Sequence, residues 1–158
     1  MTITERDLEL LTRCVDLAEQ AVERGDEPFG SLLLSAEGEV LFEDHNHVAG
    51  GDPTQHPEIA IAYWAVEHLT VQERAASTVY TSGEHCPMCA GAHGWVGLGR
   101  IVIASSSEQL GGWLQELGVE PGPVLGLPIQ RVVPSAVVDG PVPELSERIR
   151  GLHGRFHR

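Results

Sequence analysis

The feature that most constrains how this 158-residue chain can fold is a pair of short motifs. They are His56-Pro57-Glu58 and Cys86-Pro87-Met88-Cys89, the second beginning 28 residues after Glu58. In each, a proline directly follows a potential metal ligand. Proline suits the first turn of a helix, where its missing N–H has no intrahelical partner to lose. The motifs therefore predict two helix starts, with one helix from Pro57 to Leu69 and another from Pro87 to about Val96. Cysteines at i and i+3 on one helical turn point the same way, so one metal can meet both thiolates. The positive end of the helix dipole favours those thiolates. His56 adds an imidazole from the neighbouring helix start. One histidine and two cysteines make three protein ligands, the number a catalytic zinc takes while its fourth position stays open. The fold must bring these two helix starts together.

Glu58, two residues after His56, is placed to reach a water at that open position without binding the metal. Zinc lowers the pKa of such a water from 15.7 toward roughly 7. Glu58 would accept the water's proton and return it, first to a ring nitrogen and then to a departing amine. Other readings account for less of the pattern. A lone C-x-x-C is often redox-active or part of a structural zinc knuckle. A thioredoxin-like pair has no need of His56-Pro57-Glu58. A structural zinc module for protein interaction needs a fourth ligand, such as His85 or His93, and leaves Glu58 without a task.

The charge balance excludes further chemistries. The chain carries a formal net charge of −13, and its 10 basic residues are all arginine. Without lysine there is no Schiff-base lysine, P-loop lysine or lysine general base. The acidic surplus argues against nucleic acid as partner, because that affinity comes largely from cations neutralising phosphates. The local exception is the C-terminus, where Arg148, Arg150, Arg155 and Arg158 are joined by His153 and His157. This is either a solvated helix end with cations near its negative dipole or a phosphate-contacting patch. No apolar run approaches the roughly 18 residues of a transmembrane helix, so no membrane is expected. Three cysteines, two of them in one C-x-x-C, fit a reducing compartment, and the N-terminus lacks a basic-then-apolar signal. The expected location is cytoplasmic.

Residues 5–24 predict the clearest helix, with Leu8, Leu11, Val15, Ala18 and Val22 forming an apolar stripe. Thr4 would be its N-cap and Gly25 its C′ residue. Cys14 lies beside the stripe and reads as a small buried hydrophobe. Ser31–Leu34 and Glu39–Phe42 form a β-hairpin across Ala36-Glu37-Gly38. After a loop from Glu43 to Gln55 and the two motif helices come strands at Thr78–Thr81 and Arg100–Ala104. A helix over Ser107–Leu117, a Gly/Pro-rich loop over 118–128, a last strand at Gln130–Val133 and a final helix from about Val142 to Phe156 complete the chain. The expectation is an α/β single domain over residues 1–158, a three-layer α/β/α sandwich with a five-stranded mixed sheet. Its alternating second half should be parallel, with right-handed crossovers.

These residues resemble the cytidine and deoxycytidylate deaminase superfamily, and within it the guanine deaminase and tRNA adenosine deaminase branch. The resemblance is carried by Pro28-Phe29-Gly30, Asn46, Asp52-Pro-Thr-Gln-His-Pro-Glu58, Thr81-Ser-Gly-Glu-His-Cys-Pro-Met-Cys-Ala-Gly-Ala92 and Trp95. It runs from the first helix through about Ala104. It implies a cytidine deaminase-like fold, one Zn2+ per subunit on His56, Cys86 and Cys89, Glu58 as proton shuttle, and a homodimer. Asn46 matches the asparagine that hydrogen-bonds the substrate base, allowing a one-residue gap. Phe29 and Trp95 match positions near the base pocket, although Phe29 could equally be core and Trp95 a dimer contact. The chain departs from the family at His56-Pro57-Glu58, where alanine usually stands in the middle, and at Glu84-His85-Cys86, where proline does. His85 is thus either a substrate contact, an outer support or an exposed side chain. The residues that guanine deaminases use to read guanine have no clear match in Ser105–Leu117. The expected substrate is a free base or small amino-heterocycle of the guanine, cytosine, isoguanine or aminotriazine type. The alternative is the adenosine of a tRNA anticodon loop, which needs a basic face.

Overall fold

The computed structural model describes residues 2–158. Helix α1 (Glu5–Glu23) opens on a capping box in which Thr4 and Asp7 satisfy each other's backbone N–H groups. Strands β1 (Gly30–Leu34) and β2 (Val40–His45) pair antiparallel as the hairpin. Helix α2 (Pro57–His68) follows, then a short α3 (Val71–Ala75), β3 (Thr78–Thr81), α4 (Pro87–Val96) and β4 (Arg100–Ile103). Helix α5 (Ser107–Glu116), β5 (Val138–Asp139) and α6 (Pro143–Phe156) end the order. The sheet runs β2-β1-β3-β4-β5, with β1 antiparallel to both neighbours and β3, β4 and β5 parallel.

Strand side chains alternate between the two faces, as period-2 geometry requires. Leu32, Leu34, Tyr80, Val102 and Ala104 meet α1, α5 and α6 in one apolar cluster. Leu33, Val79, Ile101 and Ile103 meet α2 and α4 in the other. This is the expected three-layer α/β/α sandwich with a five-stranded mixed sheet. Cys14 is fully buried in the first cluster, while Leu8 of the expected stripe is 39% exposed. A buried polar staple fastens α1 to the sheet. Asp7 receives both terminal nitrogens of Arg100 at 3.1 Å and the Tyr80 hydroxyl at 2.6 Å, and Arg100 also binds Asp139 at 2.7 Å.

Two expectations need correction. The last strand is Val138–Asp139, pairing with Ile101 and Val102, and not Gln130–Val133. Residues Ile129–Arg131 form a 3-10 turn that buries Ile129 completely. Pro134 cannot donate to a ladder, and the Val133 N–H is already spent on the Ile129 carbonyl. The helix α3 was also unread, although Thr70 and Glu73 cap it reciprocally.

Candidate active site

Both motifs open helices as proline placement dictates. His56 is the N-cap of α2 and Cys86 the N-cap of α4, each followed by proline in the first turn. The two helices pack side by side on one face of the sheet. The His56 Nδ1 atom lies 3.6 Å from the Sγ of Cys86 and 3.6 Å from that of Cys89. One donor atom from each of the three residues lies within 4.8 Å of the others. An imidazole and two sulfurs converging from two helix N-termini fit a zinc ion in both donor chemistry and spacing. A contact with Cys89 and the His56 imidazole hold the Cys86 thiol down against burial, while the same contact and burial push the Cys89 thiol up, so the first proton of the pair leaves easily and the second does not. A stabilised thiolate is the form that binds metal.

Glu58 sits in the first turn of α2 and is 6% exposed. Its Oε1 accepts from the Ser31 hydroxyl of β1 at 2.9 Å and the Thr81 hydroxyl of β3 at 3.1 Å. Burial pushes its carboxyl upward, while the Ser31 bond and the nearby His56 oppose that rise. A carboxyl so placed can exchange a proton without leaving its seat, because rotating hydroxyls adapt to either protonation state. Sequence reading missed both hydroxyls. The signal for Ser31 was available, since it is the one hydroxyl in a wholly buried strand, Gly30-Ser31-Leu32-Leu33-Leu34. Gly30 itself packs against the backbone of Cys14 and Ala18 and the Leu17 side chain, leaving no room for a Cβ.

His56, Cys86 and Glu58 open onto a cavity of about 730 Å³. Its walls include Phe29, His56, Glu58, His85 and Cys86, then Leu110 and Leu114 of α5, and residues 118–122 and 124–127 of the following loop. Glu84 secures that far wall. Its Oε1 accepts from the Ser107 N–H at 2.9 Å and its Oε2 from the Ile129 N–H at 2.7 Å. Glu84 and the whole 118–127 segment are further wall residues that sequence reading did not assign.

The four expected base-contacting residues fall in different places. Phe29 lines the cavity, its ring edge-on to His153 at 5.3 Å. His85 also lines it and is fully buried, edge-on to His93 at 5.4 Å with Nδ1 unpartnered. Burial, with His93 adding, pushes the His85 imidazole well below its ordinary range. Asn46 is buried behind Phe29, donating its backbone N–H to the Phe29 carbonyl at 3.0 Å. Its Oδ1 takes the Val48 N–H, and its Nδ2 has no partner. Trp95 is 92% exposed and stands outside the cavity, so the expectation of a base contact fails within a single chain. The reason is helical phase. Cys89, Ala90 and His93 face inward, and Trp95 follows His93 by two residues, about 200° around the helix.

Arg148 pairs with Asp16 and Glu19, Arg150 with Glu116 and Glu147, and Arg155 with Glu19. Most of the C-terminal basic cluster is thus spent within the chain. No helix among the described residues is long and apolar enough to cross a membrane.

A five-stranded α/β/α sandwich that presents His-Cys-Cys donors at two adjacent helix starts defines a class of metal-binding α/β proteins. The chain belongs to the cytidine and deoxycytidylate deaminase family, whose zinc-binding region matches residues 4–105. It is 36% identical over 110 residues to a probable cytosine deaminase of Schizosaccharomyces pombe, covering 68% of this chain and 65% of that one. It is 37% identical over 87 residues to the guanine deaminase of Bacillus subtilis, covering 54% and 55%. A tRNA-specific adenosine deaminase of Haemophilus influenzae matches at 28% over 109 residues, covering 68% and 63%. The chain thus matches under two thirds of the length of each of these relatives. The solved structure of a guanine deaminase from Nitrosomonas europaea shares the fold, with a TM-score of 0.72 at 17% identity over 99% of this chain and 86% of that one.

Proposed function

We propose that this protein is a zinc-dependent hydrolytic deaminase that releases ammonia from a free nucleobase or related amino-heterocycle of the guanine, cytosine, isoguanine or aminotriazine type. The observation that carries this reading is the buried Glu58 carboxyl, held by Ser31 and Thr81 beside the His56, Cys86 and Cys89 donors. His56, Cys86 and Cys89 would hold one zinc ion per subunit. When bound, zinc acts as a Lewis acid that brings a water's pKa toward roughly 7.

Glu58 then carries the protons. It accepts one from the attacking water and donates it to the ring nitrogen beside the amine-bearing carbon. A second proton reaches the amine through the same carboxyl. The C–N bond breaks, ammonia leaves, and a ring carbonyl remains, so base plus water gives oxo-base plus ammonia. Phe29 offers an apolar ring to the base plane; Asn46, whose Nδ2 has no partner, is the proposed donor to a ring acceptor although it sits behind Phe29 and outside the cavity lining. His85, kept neutral by burial, lines the wall where the leaving group departs.

The charge around the cavity supports a neutral substrate. Glu58, Glu84 and Glu120 line it, and no arginine does, a setting that disfavours a phosphate-bearing nucleotide. The paired C-terminal arginines support the same choice over an anticodon loop. Exposed Tyr63 and Val66 on α2 and Trp95 on α4 support a homodimer built on that helix pair. The three free cysteines fit the cytoplasm.

The test is ammonia release by zinc-loaded protein across free bases, nucleosides and aminotriazines, with Glu58→Ala as control. Turnover of a free base that vanishes in the variant supports the reading. Silence on every small molecule, with deamination of a tRNA anticodon stem-loop, overturns it.

A further inference from the structure

A second group of metal-ligand side chains lies outside the cavity. Asp26 follows the end of α1, His45 ends β2, and His47 begins the next loop. One donor atom from each lies within 4.8 Å of the other two. Asp26 and His45 are buried and His47 is exposed. We propose that Asp26, His45 and His47 form a second metal site, for a divalent first-row transition cation, that braces the loop carrying Asn46.

The hydrogen bonds around the cluster are the first argument. A metal-ligating histidine characteristically donates its other ring N–H to a carbonyl or carboxylate, which fixes the tautomer. Both histidines do so. His45 donates from Nδ1 to the Asn46 carbonyl at 2.7 Å, and His47 donates from Nε2 to Asp44 Oδ1 at 2.8 Å. Those oxygens only accept, so the protons sit on these nitrogens and the lone pairs fall on His45 Nε2 and His47 Nδ1. The rings lie 4.4 Å apart. Asp26 Oδ1 takes the Ala49 N–H at 2.9 Å. Among the described residues it forms no ion pair.

Spacing is the second argument. Neither imidazole hydrogen-bonds to Asp26, yet the donors stay within 4.8 Å. Donors across a cation with bonds near 2.1 Å stand up to about 4.2 Å apart. Donors held within 4.8 Å are near enough for one cation to reach all three, and the exposed His47 is free to adjust to it. A cation there would give the Asp26 carboxylate an opposite charge. Two imidazoles and one carboxylate suit zinc and its borderline neighbours, not magnesium or calcium.

Position gives the site its role. His45 and His47 flank Asn46 in sequence, and Asp26 precedes Phe29 by three residues. A cation joining them ties the end of α1 to both sides of Asn46.

The test equilibrates the full chain with excess zinc, removes unbound metal by gel filtration and counts metal per chain. Wild type should carry two equivalents, and His47→Ala and Asp26→Asn one each. Cys86→Ser should keep the second equivalent and lose the first. With cobalt, the second equivalent should add ligand-field bands without thiolate charge-transfer intensity. His47 is exposed and Asp26→Asn keeps an acceptor for Ala49, so both variants should fold. One equivalent in wild type, or two in either variant, overturns the proposal.

Discussion

Replacing Glu58 with glutamine isolates the proton carrier from everything else in the site. The carboxamide oxygen can still accept from Ser31 and Thr81, so the strands keep their seat for the side chain. The volume is unchanged, and the His56, Cys86 and Cys89 donors are untouched. What is lost is the ability to take a proton from water and return it. A positioned acid–base group contributes about 10²- to 10⁴-fold, or about 2.7–5.5 kcal/mol of barrier. Glu58 handles a proton on both sides of the reaction, so the loss in kcat should fall toward the upper end. Stability should move the other way. A buried carboxylate held only by hydroxyls is replaced by a neutral group, so the urea midpoint should stay or rise. The assay is ammonia release at saturating zinc, with metal content and urea denaturation measured on the same preparations. A Glu58→Gln variant with full metal and kcat within tenfold of wild type would refute the assignment.

Asp7→Ala should cost about 3–5 kcal/mol, because it leaves the largely buried Arg100 with Asp139 alone and orphans the Tyr80 hydroxyl; a loss under about 1 kcal/mol in urea denaturation would contradict the staple. Burial raises the Asp7 carboxyl, but Arg100, Tyr80 and Thr4 outweigh it and hold it well below the carboxylate range. Its stabilisation is therefore full above the unfolded value near 3.9 and is lost as pH falls below that. Burial, with His157 adding, pushes His153 down to about 4, and neither ring nitrogen has a partner. The unfolded imidazole protonates near 6.5, so stability should fall by about 3 kcal/mol as pH drops from 6.5 to 4. His153→Leu should flatten that slope in pH-dependent denaturation, and an unchanged slope would locate the acid sensitivity elsewhere. Trp95→Glu should shift sedimentation from dimer to monomer, and an unaltered oligomer would remove Trp95 from the interface. For a neutral base, KM should stay level between 50 and 200 mM salt, whereas phosphate contacts would make it climb steeply.

The helix starts were legible because proline and a metal ligand leave few alternatives at Pro57 and Pro87. The sheet was legible wherever strands were long enough to alternate, as in Ser31–Leu34 and Arg100–Ile103. It was not legible at Val138–Asp139, where two residues carry no period and the β-branched Val132-Val133 drew the reading away. The candidate zinc donors and Glu58 were readable from local spacing. Ser31, Thr81 and Glu84 were not, because their partners lie 23 to 45 residues away and depend on strand register. Within a single chain Trp95 stands outside the cavity because helical phase turns it away from Cys89 and His93, which leaves the dimer contact as the reading it fits.

The division of the site along the chain explains why a reaction class could be read further than a substrate. The groups assigned to the metal and to proton transfer lie between Ser31 and Cys89, inside the stretch that matches the family. The opposite wall, from Ser107 to Leu127, lies beyond it. That wall hangs from Glu84, whose two oxygens hold the start of α5 and the end of the loop. A base bound as proposed would rest between a floor set by the metal donors and a wall shaped by Gly- and Pro-rich residues with little local coding. On the proposed reading, the donors and Glu58 act at the carbon that bears the amine. A wall of Leu110, Leu114, Val119 and Leu127 discriminates by size and contour, where one methylene is worth about 1–3 kcal/mol. Changes in residues 107–127 are therefore expected to alter which base is accepted, and changes between Ser31 and Cys89 to alter whether any base is turned over.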